Sequence, residues 1–308
     1  MSMLWTEKYR PQKLSELLGQ PGFVIDAEHW VEDRDMPNVL LHGVAGTGKT
    51  TAALVLAKSL LKDEAEGNFF EINASDDRKL ETVRNRIKDI ATTRKLGDVP
   101  FKIILLDEMD GMTKDAQNAL KRIMERYSHN CRFIITCNDR FRIIQPLISR
   151  CANYAFRRVN NESMRFALEK VIQNETKNGT PIVNESELEP FIEGLHGDLR
   201  RGITELQAAV SGKTSLLKQS QSLLEPYEKI IQMVENNEYD NANKEVHNLL
   251  YQAVDMKTVC VNLHDVVIGL DIQHTTKFKL LRVIGEAEWR SSNMTPKVLA
   301  SWMIGQMI

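Results

Sequence analysis

The sequence predicts an α/β fold with a parallel sheet over its first half, followed by an all-helical remainder. Three observations predict it. Through residue 156, short runs rich in Val, Ile and Leu alternate with stretches of helical character, the pattern of strands buried on both faces of a parallel sheet. Between the first such run, Asn38-Val39-Leu40-Leu41-His42, and a helical stretch over 51–61 stands Gly43-Val44-Ala45-Gly46-Thr47-Gly48-Lys49-Thr50. After Arg157-Arg158 no further strand is evident.

The glycine-rich stretch fits the P-loop pattern, two glycines bracketing four residues and then Lys and Ser/Thr, and it stands between strand and helix, where that motif works. Glycine geometry there frees backbone N–H groups to surround phosphate oxygens at a helix N-terminus. Lys49 reaches the β and γ phosphates and Thr50 ligates Mg²⁺ on this reading, which makes the chain a nucleotide-binding protein.

The chain has 308 residues, 42% of them hydrophobic and 27% charged, enough apolar mass for a large core or two to three small ones. No apolar run approaches the roughly 18 residues of a membrane span, and the first ten residues have no signal-peptide core. An intracellular protein is therefore expected. The net charge of −2 means that nucleic-acid binding would need a local basic patch. Cys131, Cys137, Cys151 and Cys260 form no Cys-x-x-Cys pair, which argues against a zinc module and for reduced, mostly buried thiols.

Residues 1–36 hold Trp5-Thr-Glu-Lys-Tyr-Arg-Pro11, where Pro11 blocks a helix. Either this aromatic, arginine and proline line a base pocket, or the segment is an arm pinned by Trp5 and Tyr9. Phe69–Asn73 reads as a second strand and Ala74–Asp77 as a turn and helix cap. The next helix carries Leu80, Val83, Ile87 and Ile90 on one face. Seven Lys/Arg stand against two acids between Arg78 and Lys95, and Arg84 and Lys88, four apart, share a face. That face is either solvated or a binding patch.

Phe101–Asp107 is a third buried strand, ending in Asp107-Glu108. At a strand's C-terminal end, Asp107 holds Mg²⁺ directly or through its waters, and Glu108 orients and polarises an attacking water. Thr113 caps a helix over 114–127. Cys131–Cys137 is a further strand ending in Asn138, which holds the same water or the γ-phosphate, or only forms a turn. Ile143 to Cys151 leads to a last strand, Asn153–Phe156. Such a sheet carries helices on both faces and its ligand at the strands' C-terminal ends.

Beyond it, helices are expected at 161–175, 185–195 and 198–211. Asp198 caps the third, whose first turn carries Arg200 and Arg201 against the helix dipole. Either an anion holds one of them, or both are solvated. Residues 212–224 are small and polar and read as a linker. From Glu225 to Ile308 about five helices are expected, and the apolar stretch Val298–Ile308 should pack inside its domain or against another chain.

In order, Trp5-Thr-Glu-Lys-Tyr-Arg-Pro11, Leu18-Gly-Gln20, the P-loop, Asn73-Ala-Ser-Asp-Asp-Arg78, Leu106-Asp-Glu-Met-Asp110, Ser149-Arg-Cys151 and Gly197-Asp-Leu-Arg-Arg201 resemble the small subunit of replication factor C, the sliding-clamp loader of archaea and eukaryotes. The likeness covers about residues 3–210; beyond 225 only helical character and position match. It implies an AAA+ ATPase core over 1–156, a helical lid over 157–222 and a helical collar over 223–308 that joins five subunits into an open ring. It implies ATP and Mg²⁺ as cofactors, and other loader subunits, a sliding clamp and primer–template DNA as partners, with no membrane. The cellular site would be cytoplasmic in an archaeon or virus, nuclear in a eukaryote.

Residue by residue, Tyr9, Arg10 and Pro11 look like part of the adenine pocket. Gly43, Val44, Ala45, Gly46, Thr47, Gly48, Lys49, Thr50 and Thr51 would bind ATP, with Thr50 and Asp107 on the metal and Glu108 catalytic. Asn138 looks like sensor 1 and Arg200 like sensor 2, which touches the γ-phosphate from the lid. Arg150 looks like the arginine finger directed at a neighbouring subunit's ATP. Arg84 and Lys88 fall where the family tracks DNA phosphates. The helix near 114–127 falls where it meets the clamp, so Leu120, Ile123 and Met124 are either clamp-facing or core. Two departures stand out: Val44-Ala45-Gly46 where Pro-Pro-Gly is usual, and Met109 where the strand-end motif has Ala. Neither removes a phosphate, metal or water ligand. Two rival functions remain: a different AAA+ replication ATPase, such as a helicase loader or initiator, which predicts a winged-helix domain near the C-terminus, and a non-hydrolysing structural subunit of the loader.

Overall fold

In the computed structural model, residues 3–74, 80–176, 185–212, 216–270 and 272–308 are described, without the side chains of 80–84, 185–186, 212 and 216–224. The strands are β1 (Val39–His42), β2 (Phe69–Asn73), β3 (Lys102–Asp107), β4 (Cys131–Cys137) and β5 (Ala152–Ala155). They lie in the order β2-β3-β4-β1-β5, every neighbouring pair parallel. The continuous apolar runs have a direct physical reading here. Successive side chains of a strand point to opposite faces. Leu40, Ile104, Leu106, Phe133 and Ile135 pack into one core, and Val39, Leu41, Ile103, Leu105 and Ile134 into a second on the other face. Each such buried side chain contributes about 1.5–3 kcal/mol relative to an exposed one, so a polar residue inside these strands needs a specific partner.

The chain divides into two compact units, Met1–Thr214 and Ser215–Ile308. The first contains the sheet and helices α1 (Trp5–Lys8), α2 (Pro21–Asp33), α3 (Lys49–Leu61), α4 (Leu80–Thr92), α5 (Lys114–Arg126), α6 (Gln145–Ile148), α7 (Asn161–Glu175), α8 (Glu185–Leu195) and α9 (Leu199–Gly212). Thr113 caps α5 as expected, its hydroxyl accepting the Ala116 N–H. Leu120, Ile123 and Met124 are buried on the sheet, so of the two roles open to them they take the core one.

The second unit consists of α10 (Leu216–Glu235), α11 (Tyr239–Tyr251), α12 (Met256–Gly269), α13 (His274–Arg290) and α14 (Pro296–Met307). Its core draws on all of them, and Leu299, Ala300, Met303, Ile304 and Met307 of the apolar C-terminal stretch are buried within it. The expected linker 212–224 is shorter than its composition suggested, because α10 already begins at Leu216. No Gly or Pro falls between 216 and 225, and Leu216-Leu217 recurs seven residues on as Leu223-Leu224, a helical period that outweighs the serines and glutamines between.

The four cysteines are free thiols, three of them buried and Cys151 half-buried. Burial pushes the Cys131 thiol up to about 11 and those of Cys137, Cys151 and Cys260 up to about 12. At pH 8 only about one molecule in 10³ is thiolate at Cys131 and about one in 10⁴ at the other three. Native protein should therefore resist iodoacetamide at pH 8 and take up four equivalents only after denaturation. Mass spectrometry checks this, and rapid native labelling of Cys137 would contradict the burial.

Candidate nucleotide site

The site is assembled by the strand order. β1 ends in the P-loop and β3 ends in Asp107-Glu108, and β4 lies between them. β4 therefore brings Asn138 to both, the adjacency that the asparagine reading required. Gly43 adopts φ +149, and a Cβ there would lie 2.1 Å from the Phe156 carbonyl oxygen. Gly46 adopts φ +80 and faces Asp198, whose Oδ1 would be 2.3 Å from an added Cβ. At both positions glycine is required by backbone conformation and by close approach.

Lys49 opens α3 and is buried. Its ammonium donates to the carbonyls of Gly43 at 2.7 Å and Val44 at 2.9 Å and to Asn138 Oδ1 at 2.9 Å. Burial lowers its pKa, against the pull of Cys137, Asp107, Asp110 and Glu108. Thr50 Oγ1 lies 2.9 Å and 3.1 Å from the two Asp107 carboxylate oxygens. A second hydroxyl, that of Thr136, also donates to Asp107 Oδ1. Glu108 is exposed and left-handed at φ 55, a conformation that costs a non-glycine residue about 1–2 kcal/mol. Its backbone N–H donates to Thr136 Oγ1 at 3.1 Å.

Asp198 caps α9 through the Arg201 N–H at 3.0 Å, so the contact with Gly46 sets the N-terminus of α9 over the P-loop. Of the two arginines in that turn, Arg201 is paired with Glu205 at 2.6 Å. Arg200 is exposed, and among the described residues its guanidinium has no hydrogen-bond partner. Gln20 joins the N-terminal segment to this part of the chain, its amide nitrogen donating to the Arg157 carbonyl at 2.7 Å.

Other expected site residues lie away from the phosphate loop. Arg150 precedes β5, whose first residue pairs with the first residue of β1, so it stands at the end of the sheet opposite the P-loop. Its guanidinium donates to Glu125 Oε1 at 2.9 Å through Nε and to the Pro146 carbonyl at 2.7 Å. Tyr9 donates its hydroxyl to Glu175 of α7 at 2.7 Å and stacks edge-on with Trp5, whose backbone N–H donates to Gln207 Oε1 of α9. Arg10 pairs with Glu7 at 2.7 Å. The polar groups of this arm are thus engaged by α7, α9 and the arm itself rather than by the P-loop. Pro11 is partly exposed beside them. Lys88 is exposed on α4, whereas the side chain of Arg84 lies outside the described residues.

The sequence reading missed Thr136 and Asp198 as site residues. A threonine within an apolar strand carries no motif, and Asp198 was read as a helix cap alone.

Residues 39–159 match the family described as ATPase family associated with various cellular activities (AAA). The replication factor C small subunit of Methanococcus maripaludis strain S2 is 36% identical over 297 residues, covering 94% of this chain and 93% of that protein. The chain belongs to the replication factor C small-subunit family. The member from Archaeoglobus fulgidus is 37% identical over 294 residues, 93% of this chain and 91% of its own. Membership makes this an AAA-type ATPase chain with an ATP-binding core. The fold is shared more widely: the Thermotoga maritima RuvB Holliday junction branch migration motor superposes with a TM-score of 0.58 at 15% identity, over 83% of this chain and 85% of its own.

Proposed function

We propose that this chain is an ATPase subunit of a clamp loader, with core, lid and collar at 1–156, 157–222 and 223–308. ATP binding assembles a ring, a pentamer by family resemblance, that holds an open sliding clamp on primer–template DNA; hydrolysis releases both. The observation that carries the reading is the separation of parts. Lys49, Thr50, Asp107, Glu108 and Asn138 meet at one end of the sheet, while Arg150 lies at the other, a strand length of roughly 13 Å away. A cation so placed serves a neighbour's nucleotide, not its own.

The residues present fit ATP and Mg²⁺. The loop turns at Gly43 and Gly46, neither of which has room for a Cβ, and the Thr50 hydroxyl and Asp107 carboxylate are the hard oxygen donors that Mg²⁺ takes. Bound there, Mg²⁺ would neutralise charge on the phosphates. Gly43 to Thr51 hold the phosphates by backbone N–H groups, and Lys49 exchanges its loop carbonyls for phosphate oxygens. Glu108 polarises the water and Asn138 positions it. Arg200, at the N-terminus of α9 over the loop, closes on the γ-phosphate. Tyr9, Arg10 and Pro11 flank the base from the arm. Arg84 and Lys88 hold DNA through backbone phosphates, so binding is salt-sensitive and indifferent to sequence.

Two observations favour this reading over its rivals. The described residues from 216 to 308 form helices and no strand, where an initiator or helicase loader would carry a winged helix. Lys49, Thr50, Asp107, Glu108 and Asn138 are all present at one end of the sheet, a set that a non-hydrolysing subunit does not need. No helix among the described residues is long and apolar enough to cross a membrane.

The test is the ATPase rate of the native assembly with and without primed DNA and an archaeal-type clamp, beside its native mass. Stimulation by both is expected, and a rate indifferent to both would refute the loader reading. The double variant Arg84→Glu/Lys88→Glu should abolish stimulation by DNA and leave the basal rate within about twofold. Each reversed contact should weaken DNA binding by about tenfold or more at moderate salt. Unaltered stimulation would return this face of α4 to solvent.

A further inference from the structure

We propose that Thr136 is a positioning residue for hydrolysis: one buried hydroxyl sets the geometry of both the metal-binding carboxylate and the water-orienting glutamate. The inference rests on the roles proposed above for Asp107 and Glu108.

Thr136 lies opposite Leu41 of β1 and is 1% exposed. The rest of β4 is apolar apart from Arg132 near its start. Valine would fill the same space without a polar atom to satisfy, so the sheet alone gives no reason for a hydroxyl here. The hydroxyl has one hydrogen, and it goes to Asp107 Oδ1. An oxygen lone pair then receives the Glu108 N–H at 3.1 Å. Both directions of the hydroxyl are thus spent on adjacent residues of the site. Asp107 Oδ1 also receives Thr50 Oγ1 at 2.9 Å, so two hydroxyls converge on one carboxylate oxygen and fix its plane. Glu108 is in a backbone conformation that residues other than glycine rarely adopt, at φ 55, and the bond from its N–H ties it to β4. Removing the hydroxyl frees the carboxylate to rotate and releases Glu108 toward ordinary backbone angles.

The experiment compares Thr136→Val, Thr136→Ser and Glu108→Gln in the native assembly. One readout is the Mg²⁺ concentration that supports binding of a fluorescent ATP analogue; the other is steady-state ATPase at saturating Mg²⁺. Thr136→Val should need about tenfold more Mg²⁺ for binding and lose about 10–100-fold in kcat, with KM for ATP nearly unchanged. Thr136→Ser, which keeps the hydroxyl and loses a methyl, should restore both to within about threefold. Wild-type Mg²⁺ dependence and kcat in Thr136→Val would overturn the proposal. So would a serine variant as impaired as the valine one, since packing rather than the hydroxyl would then matter. Should Thr136→Val fail to fold, Thr136→Ala takes its place with the same expectations. The Glu108→Gln arm separates the two levels of inference. Normal hydrolysis there refutes the role given to Glu108, whereas a dead Glu108→Gln beside a normal Thr136→Val refutes only the role of Thr136.

Discussion

Glu108→Gln is expected to bind ATP with an affinity within about threefold of the wild type and to lose turnover by about 10²–10⁴-fold, the contribution typical of a positioned base. The substitution keeps the size of the side chain and its ability to accept one hydrogen bond. It removes the negative charge to which the proposed mechanism gives the polarisation of water. The hydrogen bonds of the phosphate cradle come from other groups: Lys49 is held by Gly43, Val44 and Asn138, and Asp107 by Thr50 and Thr136, while the Glu108 charge adds a through-space pull on Lys49 smaller than those of Cys137, Asp107 and Asp110. The backbone is not at risk either, because the Glu108 N–H that Thr136 holds is untouched. Equilibrium titration with a fluorescent ATP analogue and single-turnover hydrolysis check the two halves separately. Normal hydrolysis in this variant would assign the base elsewhere.

Arg150→Ala should leave ATP affinity of the isolated chain within about twofold, because the residue stands at the far end of the sheet from its own P-loop. In the assembly it should depress the ATPase by about 10³-fold or more, the range found where an arginine meets developing phosphoryl charge. The fold should survive. The partner of Arg150 is Glu125, and the side chains of the pair are 33% and 48% exposed, so the lost ion pair contributes under about 1 kcal/mol. Thermal unfolding within a few degrees of the wild type is the control. If the isolated wild-type chain already hydrolyses ATP at the rate of the assembly, the finger does not act in trans and the P-loop is a self-sufficient catalyst.

The family resemblance and the strand–loop–helix order were legible in the sequence because each rests on local features. A P-loop is contiguous, as is an apolar strand ending in two carboxylates. Arg200 and Arg201 illustrate where local reading stops. Both stand in the first turn of α9 against its dipole, and the sequence could not choose between them. The structure pairs Arg201 with Glu205 and leaves Arg200 at the end of the helix that Asp198 docks on Gly46. The N-terminal arm makes the same point. Its aromatic residues stood out at once, yet their partners, Glu175 and Gln207, lie more than 150 residues away in sequence.

By itself, the sequence determined the five strands, the phosphate loop, the carboxylate pair and the helical character of the second half, because hydrophobic periodicity and glycine placement act over a few residues. Only the tertiary structure decided which pieces meet. The order β2-β3-β4-β1-β5 inserts β4 between the loop and the carboxylates, which makes Asn138 and Thr136 parts of the site. The parallel pairing of β5 with β1 puts Arg150, which precedes β5, at the opposite end of the sheet. The physical reason is that strand order arises from the burial of both sheet faces by helices across the whole unit, a balance that no single segment of the chain contains.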